Sequence, residues 1–173
     1  MPESHLILTG FMGSGKSSVG KVVAELLGKR FIDLDAEIIV KAGCSINDIF
    51  ACDGEEAFRE MESAKIEQIL SVEEGVVLAT GGGAVVAAQN RVLMHSRGII
   101  INLKVTPEQV MSRLKGCSDR PLLTGDDVAS RAITLMKLRE QFYAEADIRI
   151  DTDGKSVEDV AAEILCRLRG FSA

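Results

Sequence analysis

The sequence predicts an α/β protein, a three-layer α/β/α sandwich around a central five-stranded parallel sheet. Three observations lead there. Short apolar runs alternate with longer segments of helical periodicity along the whole chain. The apolar runs lack a polar face, as expected of strands covered by helices on both sides. The first run passes through a glycine-rich turn directly into a helical segment, the junction that parallel strand–helix units require.

Residues 5–9 (HLILT) form the first expected strand, closed by Gly10. Residues 16–27 place Val19, Val22, Val23 and Leu26 on one helical face, with Gly28 set to cap the C-terminus. Residues 31–34 read as a second strand. Segments 35–41, 45–51 and 55–71 read as helices, the middle one opened by Ser45 with Asp48 three residues on, a capping box. A third strand covers 76–80 (VVLAT) and runs into Gly81, Gly82 and Gly83; a fourth covers 98–105. Thr106 and Pro107 open another helix, as a capping residue followed by proline. Residues 117–124 read as a loop and 126–146 as a long amphipathic helix. Strand 148–151 and helix 156–168 close the series, the helix with Ser156 and Asp159 as a second capping box. No repeat, low-complexity tract or linker interrupts the chain, so residues 1–173 are expected to form a single domain.

Composition limits the partners. With 173 residues, 46% hydrophobic, the chain can bury a sizeable core without staples. Twenty Lys and Arg against twenty-six Asp and Glu give a formal charge of −6, which disfavours nucleic acid and acidic membranes. Six Phe, one Tyr and no Trp offer little base-stacking surface. Cys44, Cys52, Cys117 and Cys166 form no CxxC pair and read as free buried thiols. His5 and His95 lack ligand-spaced partners. The N-terminal MPESHLILTG has no basic region expected of a secretory signal, and no apolar run approaches membrane-spanning length. A cytoplasmic location is expected.

Residues 10–17 read GFMGSGKS, a full match to G-x-x-x-x-G-K-[ST] between a strand and a helix. Glycines let the backbone curl so that successive N–H groups face phosphate oxygens, and the helix N-terminus adds its positive end. Gly13, Ser14, Gly15, Lys16, Ser17 and Ser18 are therefore the expected nucleotide-phosphate residues. Lys16 would reach the β- and γ-phosphates and the Ser17 hydroxyl would face Mg²⁺. A guanine-reading N-K-x-D string is missing: the nearest, at Asn102, lacks the aspartate. The D-x-x-G string at 151–154 follows the last strand, too late to sense a γ-phosphate. A small phosphotransferase is the leading class.

With four further segments the chain closely resembles the shikimate kinase family of P-loop kinases. These are FIDLD at 31–35, DGEEAFREME at 53–62, TGGGA at 80–84, and RPLL at 120–123 with the later Arg139. The resemblance implies transfer of the ATP γ-phosphoryl group to the 3-hydroxyl of shikimate, in aromatic amino-acid biosynthesis. ATP is then co-substrate, Mg²⁺ the cofactor, and a monomer the expected form. It also implies a shikimate-binding helical segment at about 35–62 and a lid at about 113–125.

The residues have physical reasons for these roles. Asp33 and Asp35 stand two apart at an expected strand end, where one carboxylate can face the Mg²⁺ shell beside Ser17 and the other an acceptor pocket. The resemblance gives Asp33 to Mg²⁺ and Asp35 to the shikimate hydroxyls and catalysis; Asp35 capping the next helix is the competing structural reading. Leu34 stands where family members often have Thr. Arg59 and Glu62 share a helix face, which by itself reads as a surface ion pair. The resemblance instead makes Arg59 the grip on the shikimate carboxylate and Glu62 its orienter, a role that suits the planar guanidinium fork. Gly81, Gly82 and Gly83 would bring backbone close to the substrate. Arg139 is implied as a second carboxylate anchor, Arg120 as a lid arginine at the transferring phosphate, and Arg113 as a stacking partner of adenine. The adenine-side loop near 153–157 receives no assigned residue. Two alternatives stand beside this reading: another P-loop small-metabolite kinase, and an inactive nucleotide-binding regulatory module.

Overall fold

The structure is a computed structural model that describes residues 4–72, 75–114 and 127–171. Five strands, β1 (His5–Thr9), β2 (Phe31–Asp33), β3 (Val77–Ala79), β4 (Gly98–Lys104) and β5 (Ile148–Asp151), form one sheet in the order β2-β3-β1-β4-β5. Every adjacent pair is parallel. Eight α-helices lie among the described residues: α1 (Lys16–Leu27), α2 (Leu34–Ala42), α3 (Ile46–Cys52), α4 (Gly54–Val72), α5 (Ala88–Arg97), α6 (Pro107–Leu114), α7 (Val128–Tyr143) and α8 (Val157–Gly170). A single 3₁₀ turn covers Ala84–Val86.

The period of two along each strand sorts the core into two layers. Leu6, Leu8, Val77, Ile101 and Ile150 join Val19 and Val23 of α1 and Val160 and Ile164 of α8 on one face. Ile7, Ile32, Leu78 and Ile100 join Ile66 and Leu70 of α4, Met94 of α5 and Tyr143 of α7 on the other. Adjacent residues of one strand therefore face different helices, which is why the strands read as unbroken apolar runs.

Several boundaries differ from expectation. The second strand stops at Asp33, because the Asp33 carboxylate accepts the Ala36 amide at 3.2 Å and turns the chain into α2. Leu34 is thus the first helical residue, fully buried, rather than the end of a strand. Helix α5 fills a stretch given no element from sequence. Its N-cap is Ala87, with no capping side chain, so the usual start signal is missing. Thr106 and Gln109 bond reciprocally at the start of α6, the Gln109 amide to the Thr106 hydroxyl at 3.3 Å and the Thr106 amide to the Gln109 side chain at 3.0 Å. Cys44, Cys52 and Cys166 are exposed, correcting the expectation of buried thiols: Cys44 and Cys52 sit at or beside helix ends, and Cys166 lies on the outer face of α8. Cys117 lies outside the described residues.

Helix α1 approaches the sheet closely at Gly20, where an added Cβ would collide with the Phe31 ring and lie 3.0 Å from Leu8. This contact fixes the height of α1, and with it the phosphate loop at its N-terminus. Gly20→Val is expected to lower stability by about 1–3 kcal/mol through overpacking, more than the few tenths of helix propensity it regains. Urea unfolding with an unchanged m-value would measure the loss.

Candidate active site

The carboxyl ends of the strands carry the site. After β1 the chain enters the phosphate loop at Gly10, whose φ of +144° few other residues adopt. A Cβ there would also press on the Leu103 carbonyl and lie 2.8 Å from the Ser14 hydroxyl, so β4 and the loop meet through bare backbone. Gly15, left-handed at φ 92°, is the N-cap of α1 and supplies no capping side chain. The first amides of the helix are consequently left to face an anion. Lys16 is buried, its ammonium donating to Gly10 O at 2.9 Å and Phe11 O at 3.0 Å. It is thereby held within the curl of the loop.

Ser17 Oγ donates to Asp33 Oδ2 at 2.5 Å. Asp33 thus ties α1 to the start of α2 with one oxygen each. Asp33 and Asp35 do not both stand at a strand end as expected. Asp33 itself is the helix cap, and Asp35 sits half-buried in the first turn of α2, so both carboxylates line one cleft with Lys16, Ser17, Thr80 and Gly82. The reading of Asp35 as a cap is corrected with it. A hydroxyl and a carboxylate, both hard oxygen donors beside a phosphate loop, fit a small divalent cation that keeps most of its ligands as water and phosphate.

The opposite wall comes from α4 and α7. Glu62 is 1% exposed, and its Oε2 accepts from Arg59 Nη1 at 2.7 Å. Arg59 also donates to Glu55 at 3.3 Å and lies 5.2 Å above the Phe58 ring. This is no surface ion pair: the shared face of α4 turns inward against Gly81 and Gly83. A Cβ at Gly81 would collide with Glu62 Oε1 and lie 3.1 Å from Asp35 Oδ1. At Gly83 it would collide with the Arg59 guanidinium, and at Gly82 it would lie 3.2 Å from the Met12 amide and 3.7 Å from Arg139 Nη1. Arg139 is buried beside the Phe11 ring, 5.9 Å from its centroid, and its charge acts on Tyr143 one turn further along α7. Tyr143 in turn donates to Gly82 O at 2.6 Å.

Burial sets the ionisation of this wall. It pushes the Glu62 carboxyl above its ordinary range, Asp35 adds to the rise, and Arg59 and Arg139 oppose it. Burial also disfavours the Arg59 charge, but Glu62 and Glu55 outweigh that and hold the guanidinium above its ordinary value. Tyr143 is pushed by burial to about 12.

A second pocket opens beyond the loop, lined by Gly13, Ser14, Gly15 and Ser18, by Arg113, and by Thr152, Lys155, Ser156 and Val157. Arg113 Nη1 donates to Gly13 O at 2.9 Å, which draws the end of α6 against the phosphate loop. Gln109 bonds Asp153 at 2.7 Å and joins α6 to the turn before α8. The residues left unassigned near 153–157 are thus brought to the pocket, together with Thr152. Arg120 and most of the expected lid lie outside the described residues. Tyr143 escaped the sequence reading altogether; its only signal was a place one helical turn after Arg139.

A phosphate loop on a five-stranded parallel sheet, faced across one cleft by a cationic pocket for a second ligand, defines a P-loop kinase. Among relatives, residues 12–169 match the family model of shikimate kinase. The shikimate kinase of Geobacter sulfurreducens is 52% identical over 165 residues, covering 95% of this chain and 91% of the relative. That of Geobacter metallireducens is 52% identical over 166 residues, covering 96% and 92%. The chain belongs to the shikimate kinase family. The solved shikimate kinase from Acinetobacter baumannii in complex with shikimate superposes with a TM-score of 0.94 at 37% identity, covering 96% of this chain and 93% of that one. A gluconokinase from Sinorhizobium meliloti, at 18% identity and a TM-score of 0.62 over 98% of this chain and 93% of that one, shares the fold alone. Fold does not choose the acceptor.

Tyr143 is the sole tyrosine, and no tryptophan obscures it. Its phenol is expected to stay protonated until about pH 12 in the folded chain, against 10.0 unfolded. The unfolded chain then loses this proton first, so stability should fall as pH rises from 10.0 towards 12. Tyrosinate absorbance at about 295 nm, followed with circular dichroism, should appear only with unfolding or near the higher value. Ionisation near 10.0 in a chain that stays folded would contradict the buried hydrogen bond.

Proposed function

We propose that this chain is an ATP-dependent shikimate kinase, transferring the γ-phosphoryl group to the 3-hydroxyl of shikimate and releasing ADP. The observation that carries the reading is the meeting of two sites at one sheet edge. The phosphate loop with Lys16 lies on one side of the cleft, the Arg59, Glu62 and Arg139 cluster on the other, and Asp35 stands between. The bound-shikimate structure at 37% identity and the family membership supply the acceptor.

In the proposed reaction the shikimate hydroxyl oxygen bonds to the γ-phosphorus as the bond to the β,γ-bridging oxygen breaks. The hydroxyl proton passes to the Asp35 carboxylate. The transition state is loose, so alignment and neutralisation of charge matter more than a strong base. Lys16 and the amides of Gly13, Ser14, Gly15, Ser17 and Ser18 hold the phosphates. Arg59 and Arg139 clamp the shikimate carboxylate, with Glu62 fixing Arg59 and the glycine triplet supplying backbone against the ring. Arg120 is assigned to the transferring phosphate, and Arg113 with Thr152, Lys155 and Ser156 to the adenine side. Ser17 and Asp33 would hold Mg²⁺, which would neutralise charge on the β- and γ-phosphate oxygens. We further propose that the protein works as a monomer in the cytoplasm, within aromatic amino-acid biosynthesis.

ADP release by the purified chain should depend on shikimate. ATP binding without shikimate-dependent turnover would favour an inactive nucleotide-binding module, and turnover with gluconate in its place another metabolite kinase. Lys16→Met and Arg120→Ala are each expected to reduce kcat by about 100-fold or more while the fold survives, as for loss of a group that stabilises transition-state charge. Arg59→Ala and Arg139→Ala should instead weaken shikimate binding roughly 10- to 150-fold, the equivalent of one charge-assisted hydrogen bond. Unchanged shikimate affinity in both would reject the clamp.

A further inference from the structure

We propose that Tyr143 is a positioning residue for the acceptor site, its hydroxyl locking the Gly82 carbonyl and the Arg139 guanidinium together so that backbone and clamp meet shikimate as one rigid unit. The inference rests on the function proposed above and adds a residue to it.

The chemistry of the three groups leaves one arrangement. A carbonyl only accepts and a guanidinium only donates, so the single phenolic proton goes to Gly82 O and the phenolic lone pairs are left to the Arg139 charge. The Tyr143 to Gly82 distance, 2.6 Å, is at the short end for such a bond. Tyr143 and Arg139 are 4% and 5% exposed, which leaves little room for solvent to replace either partner. They are four residues apart near the end of α7 and therefore share a face. The Tyr143 ring is part of the core layer that includes Phe11, Met12, Ala84 and Val85, so the hydroxyl has a fixed position.

The triplet needs such a fixture. Three glycines in succession have more backbone freedom than any other tripeptide. The structure ties down the outer carbonyls, Gly81 O by the Ala84 amide at 3.2 Å and Gly83 O by the Val86 amide at 3.0 Å. The middle carbonyl is held by Tyr143. Because the peptide is planar and trans, fixing Gly82 C=O also fixes the Gly83 N–H, which is directed away from Tyr143. The same hydroxyl that orients this peptide also orients Arg139, a proposed anchor of the substrate carboxylate.

Tyr143→Phe keeps the ring and removes only the hydroxyl. It is expected to raise KM for shikimate about 10-fold, the cost of unpairing buried groups, while KM for ATP stays within about twofold. In an Arg139→Ala background the same change should add less than about twofold, because the two residues act as one unit. A parallel rise in both KM values, no rise in either, or full additivity would overturn the proposal. If the variant fails to fold, the sole tyrosine permits a second measurement. Biosynthetic 3-fluorotyrosine labels Tyr143 alone and keeps its hydroxyl. Its ¹⁹F resonance should shift as shikimate is added, saturating with the affinity seen in turnover, and stay in place with a non-hydrolysable ATP analogue alone. A resonance that ignores shikimate, or moves with the analogue alone, would reject the proposal. Wild-type protein without shikimate-dependent turnover would overturn the kinase reading and this inference together, whereas active wild type with an indifferent Tyr143→Phe overturns this inference alone.

Discussion

The acceptor side of the cleft depends on three consecutive backbone positions that carry no Cβ. Glu62 and Asp35 come within contact of the space above Gly81, the Arg59 guanidinium fills that above Gly83, and Met12 and Arg139 crowd Gly82. Side chains from α2, α4 and α7 and the backbone of the phosphate loop can therefore converge on one short segment. A larger residue at Gly81 or Gly83 would displace a charged group, and one at Gly82 would press on the Met12 amide of the phosphate loop. The convergence has a cost in Glu62, whose buried Oε1 has no hydrogen-bond partner among the described residues. A carboxylate stripped of water persists only where opposite charge stands close, and Arg59 at 2.7 Å provides it.

The parallel sheet brings this acceptor side next to the nucleotide side. All five strands end at the same edge, so the loop after β1, the turn after β2 and the triplet after β3 open onto one cleft. The central position of β1 places the phosphate loop between the other two structures, and the Ser17–Asp33 contact joins it to the start of α2. The formal charge of −6 describes the exterior of such a molecule. Its cations Lys16, Arg59 and Arg139 gather about the cleft, and Arg113 lines the pocket beyond the phosphate loop. A broad basic surface is not needed for that.

Much of this was legible in the sequence. The strands were visible because burial on both faces leaves them wholly apolar, and the phosphate loop because its mechanism demands glycine, lysine and a hydroxyl at fixed spacing. Arg59 and Glu62 were legible as a pair, yet their spacing alone gives a surface ion pair; the inward turn of α4 is a tertiary fact. The Asp33 to Asp35 segment misled because FIDL continues an apolar strand pattern while the Asp33 carboxylate, by accepting the Ala36 amide, ends it. Helix α5 starts at an alanine cap and so offered no boundary signal. Tyr143 lay hidden for a different reason. A lone aromatic in the last turn of a helix reads as core, which it is, and only the partner of its hydroxyl gives it a second role.

Since a gluconokinase shares this fold at 18% identity, discrimination among acceptors must come from the charge and shape of the pocket. Two guanidinium groups face two carboxylates there, Arg59 and Arg139 against Glu62 and Asp35. The four formal charges cancel, while burial pushes the Glu62 carboxyl above its ordinary range against the pull of Arg59 and Arg139. A monocarboxylate acceptor adds a single negative charge to face the two guanidinium groups. A nucleoside monophosphate would bring a second negative charge to a pocket where the buried Glu62 already draws on Arg59 and Arg139, and the desolvation of that charge would be poorly compensated. In the proposed reaction the acceptor hydroxyl also lies beside Asp35, across the glycine triplet from Arg59. A compact polyhydroxylated monocarboxylate meets both conditions, and the reason lies in the same three bare positions around which the charged side chains close.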